Sequence, residues 1–303
     1  MTRMERLRIG LIGWGTVGSA LGALVQDGPL PLSLACIGVR DRRREDLPKD
    51  VEIGPAEIAL GADIVVELAG GIEGPLTWAR QALDKGMPYV TANKALLANH
   101  GGELAELATR RSAALLASAS VGGGTPMIET VSHLAASGAI ERLRGTVNAT
   151  TTFILSAMGE GRAYDDALRA AQEAGYAEAD PSFDVEGRDA AQKLAILASV
   201  AWKKWRAEPE VETTGIVALP VSRGDTVRLV AEATREAMSV RPLPLDPSEP
   251  IARATGIENV LEVEAAGSTV RVSGPGAGGR AAAGAVYADL ARLVAGERPI
   301  LFA

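Results

Sequence analysis

From residue 7 onward the apolar positions of this chain switch repeatedly between two rhythms. Short apolar runs at 7–13, 34–40, 63–69 and 113–119, with another ending near Thr91, have the length and composition of strands buried on both faces. Between them, segments at 17–26, 76–85 and 103–110 space their apolar residues three and four apart, as helices with one buried stripe do. Gly86 closes the second of these helices. Strand and helix alternating with little linker predict an α/β unit, a doubly wound parallel sheet covered by helices.

After Gly122-Gly123-Gly124 the rhythm changes. Helices are predicted at 127–136, 165–174 and 189–202, with a strand near 143–148. Beyond Trp205 short extended pieces dominate, including 215–221, 260–265 and 269–273, before a last helix at 281–295. This order implies an α+β domain inserted into the first, with the closing helix returning to the parallel sheet. The expected domains are 1–127 with 275–303, and 128–274 between them.

Composition narrows the field by exclusion. The chain has 303 residues, 47% of them hydrophobic, enough for sizeable cores. Its net charge of -7 is spread along the sequence with no basic run, which argues against a nucleic-acid partner. No stretch of about eighteen uninterrupted apolar residues occurs, so neither membrane span nor leader is expected and a cytoplasmic protein is. The single cysteine, Cys36, reads as a small buried hydrophobe. With only His100 and His133 and no partner cysteines, zinc-ligand spacing is absent.

Chemistry first becomes visible in GLIGWGTVG, where Gly13, Gly15 and Gly18 stand between the first strand and the first helix. The first glycine permits a tight turn, the second lets backbone approach a pyrophosphate, and the third allows helix to pack on strand. The helix N-terminus beyond them offers free N–H groups to the anion. A dinucleotide site is therefore expected. At the end of the second strand, Arg40 precedes Asp41, Arg42 and Arg43, and a guanidinium there suits a 2′-phosphate. NADP is favoured over NAD on that ground. Loops after the later strands read ELAGG, VTANKA and ASASVGGGTP, and Lys94 in the second carries a cation to the strand ends where ligands bind.

A second concentration of chemistry lies in GYAEADPSFDVEGRDAAQKLA, residues 175–195. Gly175 stops one helix and Asp180-Pro181 delays the next, so 176–183 is expected as a loop with Glu178 and Asp184 on or beside it. Asp189 and Lys193 follow at i and i+4, on one helix face. Lys193 borders the apolar stripe of Ala190, Leu194, Leu197 and Ala201, so it either snorkels or serves a site.

This stretch resembles the signature of the homoserine dehydrogenases. GWGTVG, ELAGG, TANKALLA, SVGGGTPMI, GTVNATTTFIL and GPGAGGRAAAGAVYADL resemble further blocks of that family in the same order. The resemblance implies a Rossmann-like nucleotide domain, an inserted catalytic and dimerisation domain, and a homodimer. It implies interconversion of L-homoserine and L-aspartate 4-semialdehyde with NADP or NAD, in threonine and methionine biosynthesis. Glu178, Asp184 and Tyr176 would bind the substrate, with Lys94 and Asp189 positioning the reacting alcohol and Lys193 exchanging its proton. Cofactor contacts are implied at Gly13, Gly15, Thr16, Val17 and Gly18, and also at Arg40, Ala69, Gly70, Lys94 and Gly276.

The chain also departs from the family. Where many members carry a glutamate that helps bind sodium or a similar monovalent cation, this chain has Ser118; carbonyls of Val121, Gly123 and Thr125 remain as candidate ligands, or as a mere glycine-rich joint. Ala149 replaces a glycine, and the stretch near 205–221 is shortened. The sequence stops soon after its last helix, so the regulatory domain of longer members, and threonine feedback through it, are not expected. Two other readings stay open at this level: a dehydrogenase of another amino-acid-like aldehyde, and a non-catalytic NADP-binding sensor.

Overall fold

The computed structural model describes residues 6–276 and 278–302. It divides into two compact units, Met1–Gly124 with Gly278–Ala303, and Thr125–Ala277.

The first unit contains strands β1 (Leu7–Ile12), β2 (Leu32–Gly38), β3 (Glu52–Gly54), β4 (Ile64–Glu67), β5 (Tyr89–Thr91) and β6 (Leu115–Leu116). All pair in parallel in the order β3-β2-β1-β4-β5-β6. The order reverses direction between β1 and β4, which opens a crevice at their carboxyl ends where ligands of such sheets bind. Helices α1 (Thr16–Asp27), α2 (Glu73–Asp84) and α3 (Lys94–Arg111) connect the strands.

In the second unit the chain runs through α4 (Met127–Ala135), β7 (Ile140–Thr146), α5 (Ala149–Gly159), α6 (Tyr164–Glu173), α7 (Ser182–Val185) and α8 (Arg188–Trp202). It then forms β8 (Glu212–Thr213), β9 (Val227–Ala233), β10 (Met238–Pro244), β11 (Glu258–Ala265) and β12 (Ser268–Pro275). These strands and β7 build a six-stranded sheet in the order β12-β11-β7-β9-β10-β8, antiparallel except for the β10–β8 pair. Helix α8 packs against α4, β9 and β10 and is buried along almost its whole length. Alternate residues of the strands carry an ionic lattice in which Arg142 pairs with Glu264, Arg144 with Glu249 and Arg271 with Glu262.

The last helix, α9 (Gly279–Val294), belongs to the first unit and lies on α1. Its Ala283, Val286, Leu290 and Leu293 share one core with Ile9, Leu11, Leu21 and Val25. Among the described residues no helix is long and apolar enough to cross a membrane.

Several expected elements differ. Helix α3 begins at Lys94 rather than at 103, because the Asn93 side chain accepts the Leu96 N–H at 3.0 Å and caps it despite the internal glycines. The strand expected at 113–119 keeps only two residues, since Ser118 turns into a 3-10 turn and gives its N–H to Asp289. Residues 149–159, rich in threonine, are a helix that the sequence reading did not anticipate. The Asn148 side chain caps it, and the Thr152 and Ser156 hydroxyls bond back to carbonyls one turn earlier. The segment at 215–221 is irregular: Ile216 is fully buried and its N–H bonds the Val185 carbonyl, not a strand. Short β3 was also not foreseen.

Candidate active site

In the first unit, the glycine turn has the shape its spacing predicts. Gly13 has φ +101°, and a Cβ there would lie 2.8 Å from the Leu68 and Ala69 backbone. At Gly18 a Cβ would collide with the Gly13 carbonyl, so helix and turn are in direct contact. A Cβ at Gly15, by contrast, would meet nothing within 4 Å. Gly15 caps α1 without a side-chain bond, and no acidic residue occupies the first turn. The amides that open α1 at Thr16 and Val17 therefore face an approachable space of the right polarity for a pyrophosphate.

A buried carboxylate organises the neighbouring loops. Glu67, at the end of β4, has no exposed surface. It accepts the N–H groups of Ala69 and Gly70 at 2.8 and 2.9 Å and the Thr91 hydroxyl at 2.7 Å. Thr91 in turn accepts the Asn93 N–H at 2.9 Å, and the Asn93 amide donates to the Gly71 carbonyl at 2.7 Å. The network joins the ELAGG loop to the start of α3, where Lys94 is the first residue. The Ala69 and Gly70 amides are thus spoken for, so contact of these two residues with a cofactor falls to their other backbone atoms.

Arg40 lies two residues beyond β2 and is exposed. Among the described residues it makes no hydrogen bond or ion pair. Asp41, the carboxylate that competes with it for a ribose, has one oxygen engaged by the Arg43 N–H at 2.9 Å in a local turn.

In the second unit, one hydrogen-bonded chain gathers Lys193, Asp189 and Asp184. The Lys193 ammonium is 2.8 Å from Asp189 Oδ2 and donates to the Val147 carbonyl at 2.7 Å. Asn148 donates one amide hydrogen to Asp189 Oδ2 and the other to Asp184 Oδ1, both at 2.7 Å. Thr150 Oγ1 is 2.6 Å from the Tyr176 carbonyl and 3.3 Å from Asp184 Oδ2. Between Asp189 and Ala201 only Lys193 escapes full burial, so the helix brings its charge to the one opening in an otherwise dry face. Burial raises the Asp184 carboxyl above its usual range, and Asp189 adds to this, while Asn148, Lys193 and Thr150 oppose it.

The loop expected at 176–183 ends two residues early. Asp180 accepts the Ser182 N–H at 3.1 Å and Pro181 opens α7, so the proline starts a helical turn that carries Asp184 inward. Glu178 is exposed and its side chain takes no part in the Asp184–Asp189–Lys193 group. The Tyr176 ring packs edge-on to Phe153 with centroids 5.3 Å apart.

The sequence reading assigns no site role to Asn148 or Glu67. A carboxylate ending the wholly apolar run Ile64–Glu67 was the signal available for the second.

The cation expectation fits the residues poorly. Ser118 bears no charge, and its hydroxyl is committed to buried Asp289 at 2.6 Å. Val121 and Gly123 belong to one unit and Thr125 to the other. Among the described residues no three His, Cys, Asp or Glu side chains are grouped to hold a metal. Gly276 likewise lies in the second unit; its N–H bonds the Ile257 carbonyl, and a Cβ on it would strike the Asn259 amide.

A parallel sheet that opens on a bare glycine turn, with a separate lysine held among carboxylates, defines an NAD(P)-dependent oxidoreductase. Residues 13–117 match the family described as homoserine dehydrogenase, NAD binding domain, and residues 126–291 match homoserine dehydrogenase. The chain belongs to the homoserine dehydrogenase family. It is 34% identical to the homoserine dehydrogenase of Bacillus subtilis over 97% of this chain and 74% of that one. A crystal structure of a homoserine dehydrogenase from Thiobacillus denitrificans superimposes with a TM-score of 0.89 at 32% identity, covering 95% of this chain and 73% of that one. A hyperthermophilic archaeal homoserine dehydrogenase in complex with NADPH gives 0.87 at 29% identity, covering 97% and 99% of the two chains.

Proposed function

We propose that this chain interconverts L-homoserine and L-aspartate 4-semialdehyde, with Lys193 as the acid/base. The observation that carries this reading is the Lys193 ammonium, two of whose hydrogens go to Asp189 and the Val147 carbonyl. Among the described residues its third hydrogen has no taker, which leaves a positioned proton donor. The nicotinamide, when bound, supplies or receives the hydride. In semialdehyde reduction Lys193 gives a proton to the aldehyde oxygen as that oxygen becomes a hydroxyl. In oxidation it must first lose its own proton, then takes the one from the alcohol.

Asp189 holds the ammonium in place, and Asp184, Glu178 and Tyr176 receive the polar amino-acid end. A substrate α-ammonium compensates the half-buried Asp184 charge. Lys94, at the start of α3, assists with cofactor and alcohol.

NADP is the preferred cofactor on this reading, supported by the unpartnered Arg40 and by Asp41 turning inward to its own loop. A charge-assisted hydrogen bond to a 2′-phosphate contributes about 1.5–3 kcal/mol, roughly a ten- to hundredfold preference. Arg40→Ala should raise the KM for NADPH and leave kcat and the KM for NADH nearly unchanged. A homodimer, a cytoplasmic setting and a role in threonine and methionine biosynthesis rest on the family resemblance. Sedimentation at micromolar protein tests the first of these.

The experiment that tests the activity is NADPH consumption with aspartate semialdehyde beside other aldehydes. Fastest turnover of the semialdehyde is expected; no turnover of any would leave only the binding functions of the fold.

A further inference from the structure

The residue between the first two glycines of the nucleotide turn is Trp14, buried to 7% exposure. Its ring presses on α1 so closely that a Cβ on Gly22 would lie 2.5 Å from it. The indole N–H donates to the Asp46 carbonyl at 3.0 Å. Asp46 belongs to the segment that leaves β2 through Arg40 and returns to β3. That segment is fixed at its base by the Val39 N–H on the Gly54 carbonyl at 3.0 Å. Farther out, it arches over a hollow of about 560 Å3 lined by Trp14, Gly22, Leu34, Leu47 and Val51. Leu47 and Val51 pack against the core that holds Trp14, and the directional bond from the buried ring adds a fixed point to the loop beside them. Arg44 closes on Asp46 with two bonds of 2.9 and 2.7 Å, which leaves Arg40, Arg42 and Arg43 as its uncommitted guanidiniums.

We propose that Trp14 determines cofactor specificity, by tethering through its indole N–H the loop that presents Arg40 to a 2′-phosphate. One side chain of the pyrophosphate turn thereby sets the geometry at the ribose. This rests on the NADP preference inferred from Arg40. Trp14 itself touches no reacting atom and is a positioning residue.

The test is Trp14→Phe, which keeps a ring against Gly22 and removes the donor. The ratio of kcat/KM for NADPH to that for NADH should fall by about three- to tenfold. The NADH values alone should hardly change, a split that general loosening of the fold would not produce. Leu47→Ala, which loosens the same loop with the indole intact, should lower the ratio in the same direction, and decides the matter if Trp14→Phe does not fold. An unchanged ratio in these variants, with Arg40→Ala lowering it, overturns the role of Trp14. An unchanged ratio in Arg40→Ala as well overturns the underlying NADP reading instead.

Discussion

Lys193 and Asp189 stand one helical turn apart and hold a 2.8 Å ion pair with side chains only 13% and 8% exposed. An exposed i,i+4 pair contributes a few tenths of a kcal/mol, but a buried one resists disruption, because removing either partner strands the other charge. Lys193→Ala should therefore lower kcat by about a hundred- to ten-thousandfold while NADPH binding, followed by fluorescence titration, stays near wild type.

Asp184 is the acid-side counterpart. Its carboxyl is raised by burial, with Asp189 as a further raising influence, against Asn148, Lys193 and Thr150. Without substrate, its ionisation in the folded state is opposed, so the stability contributed by the protonated form is present at low pH and lost as pH rises through the elevated value. Holding a substrate ammonium needs the ionised form. The KM for homoserine should accordingly rise as pH falls through that value, above the ordinary aspartate range. Asp184→Asn should raise the KM throughout and remove this limb; a KM indifferent to both would exclude Asp184 from the substrate.

Glu67→Gln changes a three-acceptor carboxylate into a group that must present an NH2 where Thr91 or a loop amide needs an acceptor. The ELAGG loop and the start of α3 should loosen together. An increase of roughly tenfold in the KM for NADPH is expected, with a much smaller change in kcat. Steady-state kinetics with saturating semialdehyde measure it.

Ser118→Ala should act on stability. It removes the hydroxyl that donates at 2.6 Å to Asp289, a carboxylate buried to 1% exposure. The expected loss is about 1–3 kcal/mol, seen as a fall of several degrees in Tm. Added sodium should not restore it, because the proton donor, not a cation ligand, has been removed.

Much of the architecture was legible because its causes are local. Gly13 and Gly18 are required by close approach at one turn, and Asp189 and Lys193 meet because a helix repeats every 3.6 residues. Less visible was whatever depends on a distant partner. The run Ala149–Gly159 looks strand-like from its threonines, and only Asn148 and the back-bonding hydroxyls make it a helix. Asn148 itself joins Asp184 and Asp189 from 36 and 41 residues away, a meeting that no spacing announces. Ser118 read as a lost ligand because its actual partner, Asp289, lies 171 residues later.

The packing of α9 on α1 bears on how the protein comes into being at the ribosome. Leu21 and Val25 emerge early, yet the residues that cover them, Ala283 to Leu293, are translated roughly 260 residues later. At ordinary elongation rates of about 5–20 residues per second, the nascent first helix waits on the order of ten seconds or more for its cover. During that interval the inserted unit has time to fold, while an apolar strip stays open to chaperones or to the wrong neighbour.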